Sequence, residues 1–278
     1  MTPGQLDPEL NAAIAFEDVS LWIPQSERRR GGGRRHRLRR LAGEVQRSRR
    51  WIVRQASAKV GAGEVVAVVG MRIWGLESIL RLASGTLLAD SGRVLRSDPV
   101  VPNISLARCM DRRLTIRQNI YLIGGLLGLA PVTVAAELDQ IVRAAAVRPM
   151  LDRLLGTTGA AVRQRLTWHI AMATQARAFA LEQVVIAAPT AVQDQAWKQI
   201  HERASAGAAF LIVSDDERRL RSECSRAWYV EDARLEELAV SDALTRLRLA
   251  RQRSKGHEDS PDDSREGPDR DDPDWLDG

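Results

Sequence analysis

Apolar positions along the 278-residue chain fall into short unbroken runs separated by stretches of helical period, and that alternation sets the layout. Val65-Val-Ala-Val-Val69 is continuous and mostly β-branched, which predicts a central strand covered on both faces. Val184-Val-Ile-Ala-Ala188 and Ala208-Ala-Phe-Leu-Ile-Val213 predict two more such strands. Ile14 to Ile23, stopped by Pro24, and Trp51 to Val60, with its polar/apolar alternation, predict two strands earlier in the chain. Helices are expected over Leu76 to Ala83, Val132 to Ala146, Leu166 to Leu181 and Gln195 to Ala206, with a short one around Arg37 to Arg47. Strands alternating with helices predict a largely parallel, layered α/β sheet.

One run tests that picture. Gln118 to Ala136 holds no charge, but it contains Gly124, Gly125, Gly128 and Pro131, and its apolar part is short for a membrane span. It is read as a buried helix and turn. The first ten residues lack a basic start followed by an apolar stretch, so they do not read as a signal peptide.

Composition changes the picture through charge. The net charge of +5 is a near-cancellation of uneven parts. Residues 28–54 hold twelve arginines against Glu44, a local +11, whereas residues 256–278 hold ten acids against Arg265 and Arg270, a local −8. The basic stretch interrupts the chain between the first two strands, and the acidic stretch has almost no apolar residues and is expected to be disordered. Leu244 to Arg253 alternates Arg with Leu and predicts a last amphipathic, basic helix. The expected organisation is an extension over 1–13, a main domain over 14–240 with the arginine-rich insertion at 26–50, the basic helix over 241–255, and the tail over 256–278. Only Lys59, Lys198 and Lys255 are lysines. Cys109 and Cys224 have neither the number nor the spacing of a disulfide framework or zinc site, which fits a reducing cytoplasm.

Several segments resemble the nucleotide-binding subunits of ATP-binding cassette (ABC) transporters. Gly63-Glu64-Val-Val-Ala-Val-Val-Gly70, then Ser78 to Gly85 and Asp90-Ser-Gly-Arg-Val94, are similar to that family's phosphate-loop strand, first helix and following turn. Leu114 to Ile120 resembles the segment after its glutamine loop, Ala188-Pro-Thr-Ala-Val-Gln-Asp194 the end of its catalytic strand and its D-loop, and Phe210 to Asp216 its switch strand. The order holds over residues 14–237. The arginine-rich stretch closed by Trp51, and Asn119 to Leu129, resemble the exporters of lipid-linked polysaccharides such as O-antigen, capsule and teichoic acid. The resemblance implies an α/β P-loop NTPase fold with an ABC ATPase-like layered sheet.

It also exposes what is missing. A phosphate loop, Gly-x-x-x-x-Gly-Lys-Ser/Thr, cradles phosphates on backbone N–H groups, with the lysine on the β- and γ-phosphates and the hydroxyl on Mg²⁺. The matching frame is Gly70-Met-Arg72-Ile-Trp-Gly75-Leu76-Glu77-Ser78, so both glycines remain while leucine and glutamate replace lysine and hydroxyl. At about 4 Å and an effective dielectric near 20, a unit-charge pair is worth roughly 4 kcal/mol, so one lost attraction and one gained repulsion should outweigh the loop amides. The bland expectation for Gly70 to Ser78 is a strand-to-helix turn that keeps its shape, with Arg72 the remaining basic candidate. The family's catalytic Asp and Glu fall on Ala187 and Ala188, and its switch histidine on Asp215. His169 and His201 are expected to be core or surface residues. The signature falls on Leu166-Thr-Trp-His-Ile170 or on Thr157-Thr158-Gly159-Ala160, with the second preferred. Asp194 matches the D-loop acid. No metal ligand set is expected.

These substitutions favour a subunit that keeps the fold without hydrolysing ATP, docked peripherally at the inner face of the plasma membrane on an exporter permease, as a homodimer or beside an active homologue. No cofactor is then expected. The alternative is a divergent working ATPase, which alone would need ATP and magnesium. A third class, anionic-lipid or nucleic-acid binding through the insertion, has only Trp51 as a large aromatic there, too few for a base-stacking platform, which disfavours nucleic acid.

Overall fold

The computed structural model describes residues 12–24, 49–102, 108–182 and 190–258. The extension, nearly all of the arginine-rich insertion with its expected helix, and the acidic tail lie outside them.

Two sheets carry the fold. The first is antiparallel, in the order β2-β1-β4, from β1 (Ile14–Pro24), β2 (Arg49–Val60) and β4 (Ser91–Arg96). The second has the order β5-β6-β7-β3-β8-β9. Its members are β3 (Val65–Gly70), β5 (Val100–Pro102), β6 (Ala178–Glu182), β7 (Ala209–Val213), β8 (Arg226–Glu231) and β9 (Arg234–Leu238). All its pairings are parallel except β8 with β9. Seven α-helices complete the described residues: α1 (Ile73–Ser84), α2 (Ile116–Leu126), α3 (Pro131–Ala144), α4 (Ala160–Ala173), α5 (Thr190–Ser205), α6 (Glu217–Glu223) and α7 (Val240–Glu258).

The central strands β3, β6 and β7 of the six-stranded sheet are buried on both faces, as their unbroken apolar runs require. Val65, Ala67, Val69, Phe179, Leu181, Phe210 and Ile212 face a core shared with α2 to α5 and α7. Val66, Val68, Ala180, Leu211, Val213 and Trp228 face a second core containing α1 and the three-stranded sheet. The rings of Phe16 and Trp228 meet edge to face at 5.1 Å, joining the two sheets across that core. Helix α1 therefore lies in the second core, with Ile79, Leu80, Leu82 and Ala83 wholly buried. Its C-terminus is held by Arg96, whose buried guanidinium donates to the carbonyls of Ala83 (2.6 Å) and Leu82 (2.5 Å). Cationic donors at a helix C-terminus satisfy free carbonyls and oppose the helix dipole.

The uncharged run resolves as predicted. Thr115 and Gln118 form a capping box that starts α2, and Pro131 opens α3 at its first position, with a turn between them. Among the described residues no helix is long and apolar enough to cross a membrane. The last helix is basic, but Arg246, Arg248, Arg251 and Arg253 are paired with Glu236, Glu217 and Glu231 on neighbouring elements.

One expectation is corrected. The helix predicted over Leu166 to Leu181 is instead α4, which stops at Ala173, followed by strand β6. Thr174 folds its hydroxyl back onto the Ala171 carbonyl at 2.7 Å, and Arg203 takes the carbonyls of Thr174 and Met172 at 2.6 and 2.9 Å, which ends the helix. Ala178 to Leu181 then fill the slot between β5 and β7, where Phe179 stacks on Phe210 at 4.9 Å. Small apolar residues carry no strong period, so only the neighbouring strands distinguish strand from helix here. The strand predicted at Val184 to Ala188 lies outside the described residues.

Candidate functional site

β3, β6 and β7 run in parallel and end at one edge, with Glu182 opposite Val213. The phosphate-loop frame starts there, at Gly70. Only Met71 and Arg72 separate β3 from α1, which begins at Ile73, so most of the frame is helix rather than loop. The N–H groups of Gly75 and Leu76 both donate to the Arg72 carbonyl, at 2.9 and 3.2 Å. A phosphate cradle needs those amides free to converge on an anion. The expected strand-to-helix turn is confined to Met71 and Arg72, and the rest of the frame is the start of α1.

The side chains agree with the backbone. Leu76 is 5% exposed and its Cδ2 packs 3.1 Å from where a Cβ on Gly70 would lie, while that Cβ would also stand 2.6 Å from the Val230 carbonyl oxygen. Gly70 is thus a close-packing position. A Cβ on Gly75 would meet nothing nearer than 3.9 Å. Arg72 is exposed at the N-cap of α1, and Ser78 is half-buried one turn on.

Glu77, whose side chain is 22% exposed, lies 3.8 Å from Arg81 on α1, the helix that packs against β6. Burial and the nearby charge of Glu77 push the Glu182 carboxyl up to about 7, against the opposing pull of Arg108 and Arg81. Glu182 is the residue that sequence reasoning missed. The acid closing the four-residue apolar run Ala178 to Leu181 was the available signal, next to the more β-branched run that follows it.

The remaining candidates are dispersed. Ala187 and Ala188 lie outside the described residues. Asp215 is exposed just after β7, while Asp216 caps α6 by accepting the Arg219 N–H at 3.0 Å. Asp194, on α5, is ion-paired to Arg219, which also meets Glu223 at 3.3 Å. His201 contacts Glu223 at 2.8 Å. Gly159 is the N-cap of α4, with open space around its Cα, and the Thr158 hydroxyl donates to the Leu155 carbonyl at 2.7 Å. The alternative signature segment, 166–170, lies in the middle of α4 with Leu166, Thr167, Trp168 and Ile170 buried. His169, pulled down to about 4 by burial, lines a cavity of about 140 Å³ between α3, α4 and α5, away from the frame. No group of three metal-ligating side chains occurs among the described residues.

Comparison with known proteins bears on this geometry. No family model matches the chain. It is 24% identical over 195 residues to the O-antigen export system ATP-binding protein RfbB of Klebsiella pneumoniae, covering 70% of this chain and 79% of that one. It is 24% identical over 177 residues to the teichoic acids export ATP-binding protein TagH of Lactococcus lactis, covering 63% of this chain but 38% of that protein, and it spans 57% of the Aeromonas salmonicida ABC transporter protein AbcA. Among solved structures, a bacterial ABC transporter cassette seen as a dimer superposes with a TM-score of 0.65 at 12% identity, covering 82% of this chain and 98% of that one. The ATP-binding subunit of another ABC transporter gives 0.63 at 13%, over 88% and 99%. The chain accordingly has the fold of an ABC ATPase cassette, and its relatives in sequence are the ATP-binding proteins of O-antigen and teichoic acid export.

Proposed function

We propose that this chain is a degenerate ABC subunit of an export system for a polysaccharide or lipid-linked glycan, with a structural or regulatory role and no ATP hydrolysis of its own. The observation that carries this reading is the phosphate-loop frame: its amides are bonded within α1, Leu76 is buried where a lysine would reach out, and Glu77 sets a carboxyl where a hydroxyl would meet a cation. Magnesium-bound nucleotide does not fit residues so arranged, because phosphoryl transfer depends on positioning and on positive charge around the phosphates. The names of the relatives support the exporter assignment. The implied partners are a membrane permease and a second cassette subunit, with the protein held peripherally at the cytoplasmic face of the membrane. A homodimer would pair two such frames. An active homologue would supply one intact frame and meet the Thr158-Gly159 end of α4.

The test is nucleotide binding and turnover by the purified protein, with capture of its membrane partner from the same preparation. The reading expects no magnesium-dependent turnover and co-purification of a permease. The second reading, a divergent active ATPase, draws on Glu182, a carboxylate at a strand end beside the frame that the sequence had not revealed. Magnesium-dependent turnover that disappears in Arg72→Ala would establish it instead.

A further inference from the structure

Two tryptophans stand outside both apolar cores. Trp22 in β1 and Trp51 in β2 are directly opposite each other in the antiparallel ladder and are only half-buried, whereas Trp168, Trp197 and Trp228 are buried. Ile23, next to Trp22, packs against the core between the sheets, so alternation along the strand puts both indoles on the outer face of the three-stranded sheet. Each ring carries a guanidinium. Arg49 lies 4.5 Å from the centre of the Trp22 ring, and Arg54 lies 5.0 Å from that of Trp51. A cation held against an indole keeps its charge, unlike the arginines of α7, which are paired with Glu217, Glu231 and Glu236. Two acids border the patch. The Asp90 carboxylate accepts the backbone N–H of Trp22 at 2.8 Å, and Asp232 belongs to the turn whose Ala233 carbonyl accepts the Arg54 N–H at 2.8 Å.

We propose that Trp22, Trp51, Arg49 and Arg54 form a contact surface for an anionic lipid bilayer, with the indoles entering the headgroup region and the guanidinium groups meeting lipid phosphates. The exporter reading needs only a permease to hold the chain at the membrane, so a lipid contact is additional and does not depend on it. An indole has an apolar body and a single N–H, which favours the boundary where one side is dry and the other wet. An arginine near anionic headgroups adds an attraction that falls off within a Debye length. Lasting attachment to a bilayer takes an apolar and a basic element together, and this patch has both. The chain is also at its most basic here. β1 and β2 are joined through residues 25–48, which carry nine arginines against Glu27 and Glu44. A single-stranded nucleic acid would need the ring faces for its bases, and one face of each ring is taken by an arginine.

The experiment is sedimentation of the full chain with vesicles of mixed phosphatidylcholine and phosphatidylglycerol, against vesicles of phosphatidylcholine alone, at rising salt. Tryptophan emission is followed in parallel with brominated acyl chains, which quench only indoles that enter the bilayer. Wild type is expected to bind the mixed vesicles, to leave them as salt rises, and to be quenched. Trp22→Phe with Trp51→Phe should lose the quenching. Arg49→Gln with Arg54→Gln should weaken binding by about tenfold and flatten its salt dependence, the scale of two arginines withdrawn from an anionic surface. Thermal melts establish that each variant is folded, and the arginine pair carries the test if the tryptophan pair is not. Equal binding to neutral vesicles, quenching that survives in the tryptophan variant, or unchanged binding by the folded arginine variant overturns the proposal. Tighter binding to a single-stranded oligonucleotide than to mixed vesicles at equal phosphate concentration overturns it in favour of nucleic acid. None of these outcomes touches nucleotide turnover or capture of a permease, so the functional reading stands or falls separately.

Discussion

The Glu182 carboxyl at the end of β6 is pushed up to about 7 by burial and by the charge of Glu77, which stands on α1 against that strand. A group whose folded pKa is raised binds its proton more tightly folded than unfolded, so its stabilising contribution is complete below the unfolded value and disappears as pH rises through the folded one. With Glu182 moved from 4.5 to about 7, stability should fall as pH rises between those values and level off above them. After allowance for solvent screening at this half-buried site, the loss should be about 1–2 kcal/mol. Urea denaturation across that range measures it, and Glu182→Gln should flatten the profile. A wild-type profile with no slope there would contradict the raised Glu182 carboxyl.

The two glycines of the frame should respond in opposite directions. Gly70→Ala puts a methyl group 2.6 Å from the Val230 carbonyl oxygen, backbone that cannot swing away, and should cost about 2–4 kcal/mol. Gly75→Ala adds a methyl group inside a helix that meets only ordinary contacts, Ile52 at 3.9 Å and Arg72 at 4.0 Å, and should stabilise by about 0.5–1 kcal/mol. Thermal melts of the two variants decide the matter. Destabilisation by Gly75→Ala would mean that the frame is a loop after all.

Arg96→Met should destabilise by about 2 kcal/mol, because it leaves the Ala83 carbonyl without its guanidinium donor and the Leu82 carbonyl with the Gly85 N–H alone. Arg96→Lys should recover only part of that loss, since one ammonium cannot reproduce the planar fork that meets both carbonyls. Chemical denaturation of both variants is the measurement.

Glu64 supplies an acid-side counterpart. Its carboxylate accepts from Arg226 at 2.7 Å and from the Gly61 N–H at 2.6 Å, and the Arg226 hydrogen bond holds it below its ordinary value of 4.5 despite partial burial. A depressed carboxylate stabilises above its unfolded pKa and loses that contribution as pH falls through the folded one. Glu64→Gln should cost under about 1 kcal/mol near neutrality, and the difference should vanish in acid. Equal stability of the two proteins at neutral pH would show that the pair contributes nothing.

Much of the architecture was legible in the chain. Val65 to Val69 could only be a strand covered on both faces, and Gly124, Gly125, Gly128 and Pro131 marked a helix and turn within an uncharged run. The positions where the ATP chemistry had been replaced were readable too, because a leucine and a glutamate in a fixed spacing need no coordinates to be recognised.

The residues alone thus determined the layered α/β fold, the ABC resemblance, and the absence of lysine from the phosphate-loop frame, since apolar runs, turn residues and charge are local properties of the chain. Tertiary structure decided the rest. Residues 178–182 became strand because a slot between β5 and β7 was open to them. The frame became helix where Leu76, Ile79, Leu80, Leu82 and Ala83 bury one face of α1 and Arg96 fastens its end. Glu182 came to face Glu77, 105 positions earlier in the chain, because a parallel sheet brings the ends of distant strands to one edge, a relationship that no local pattern encodes.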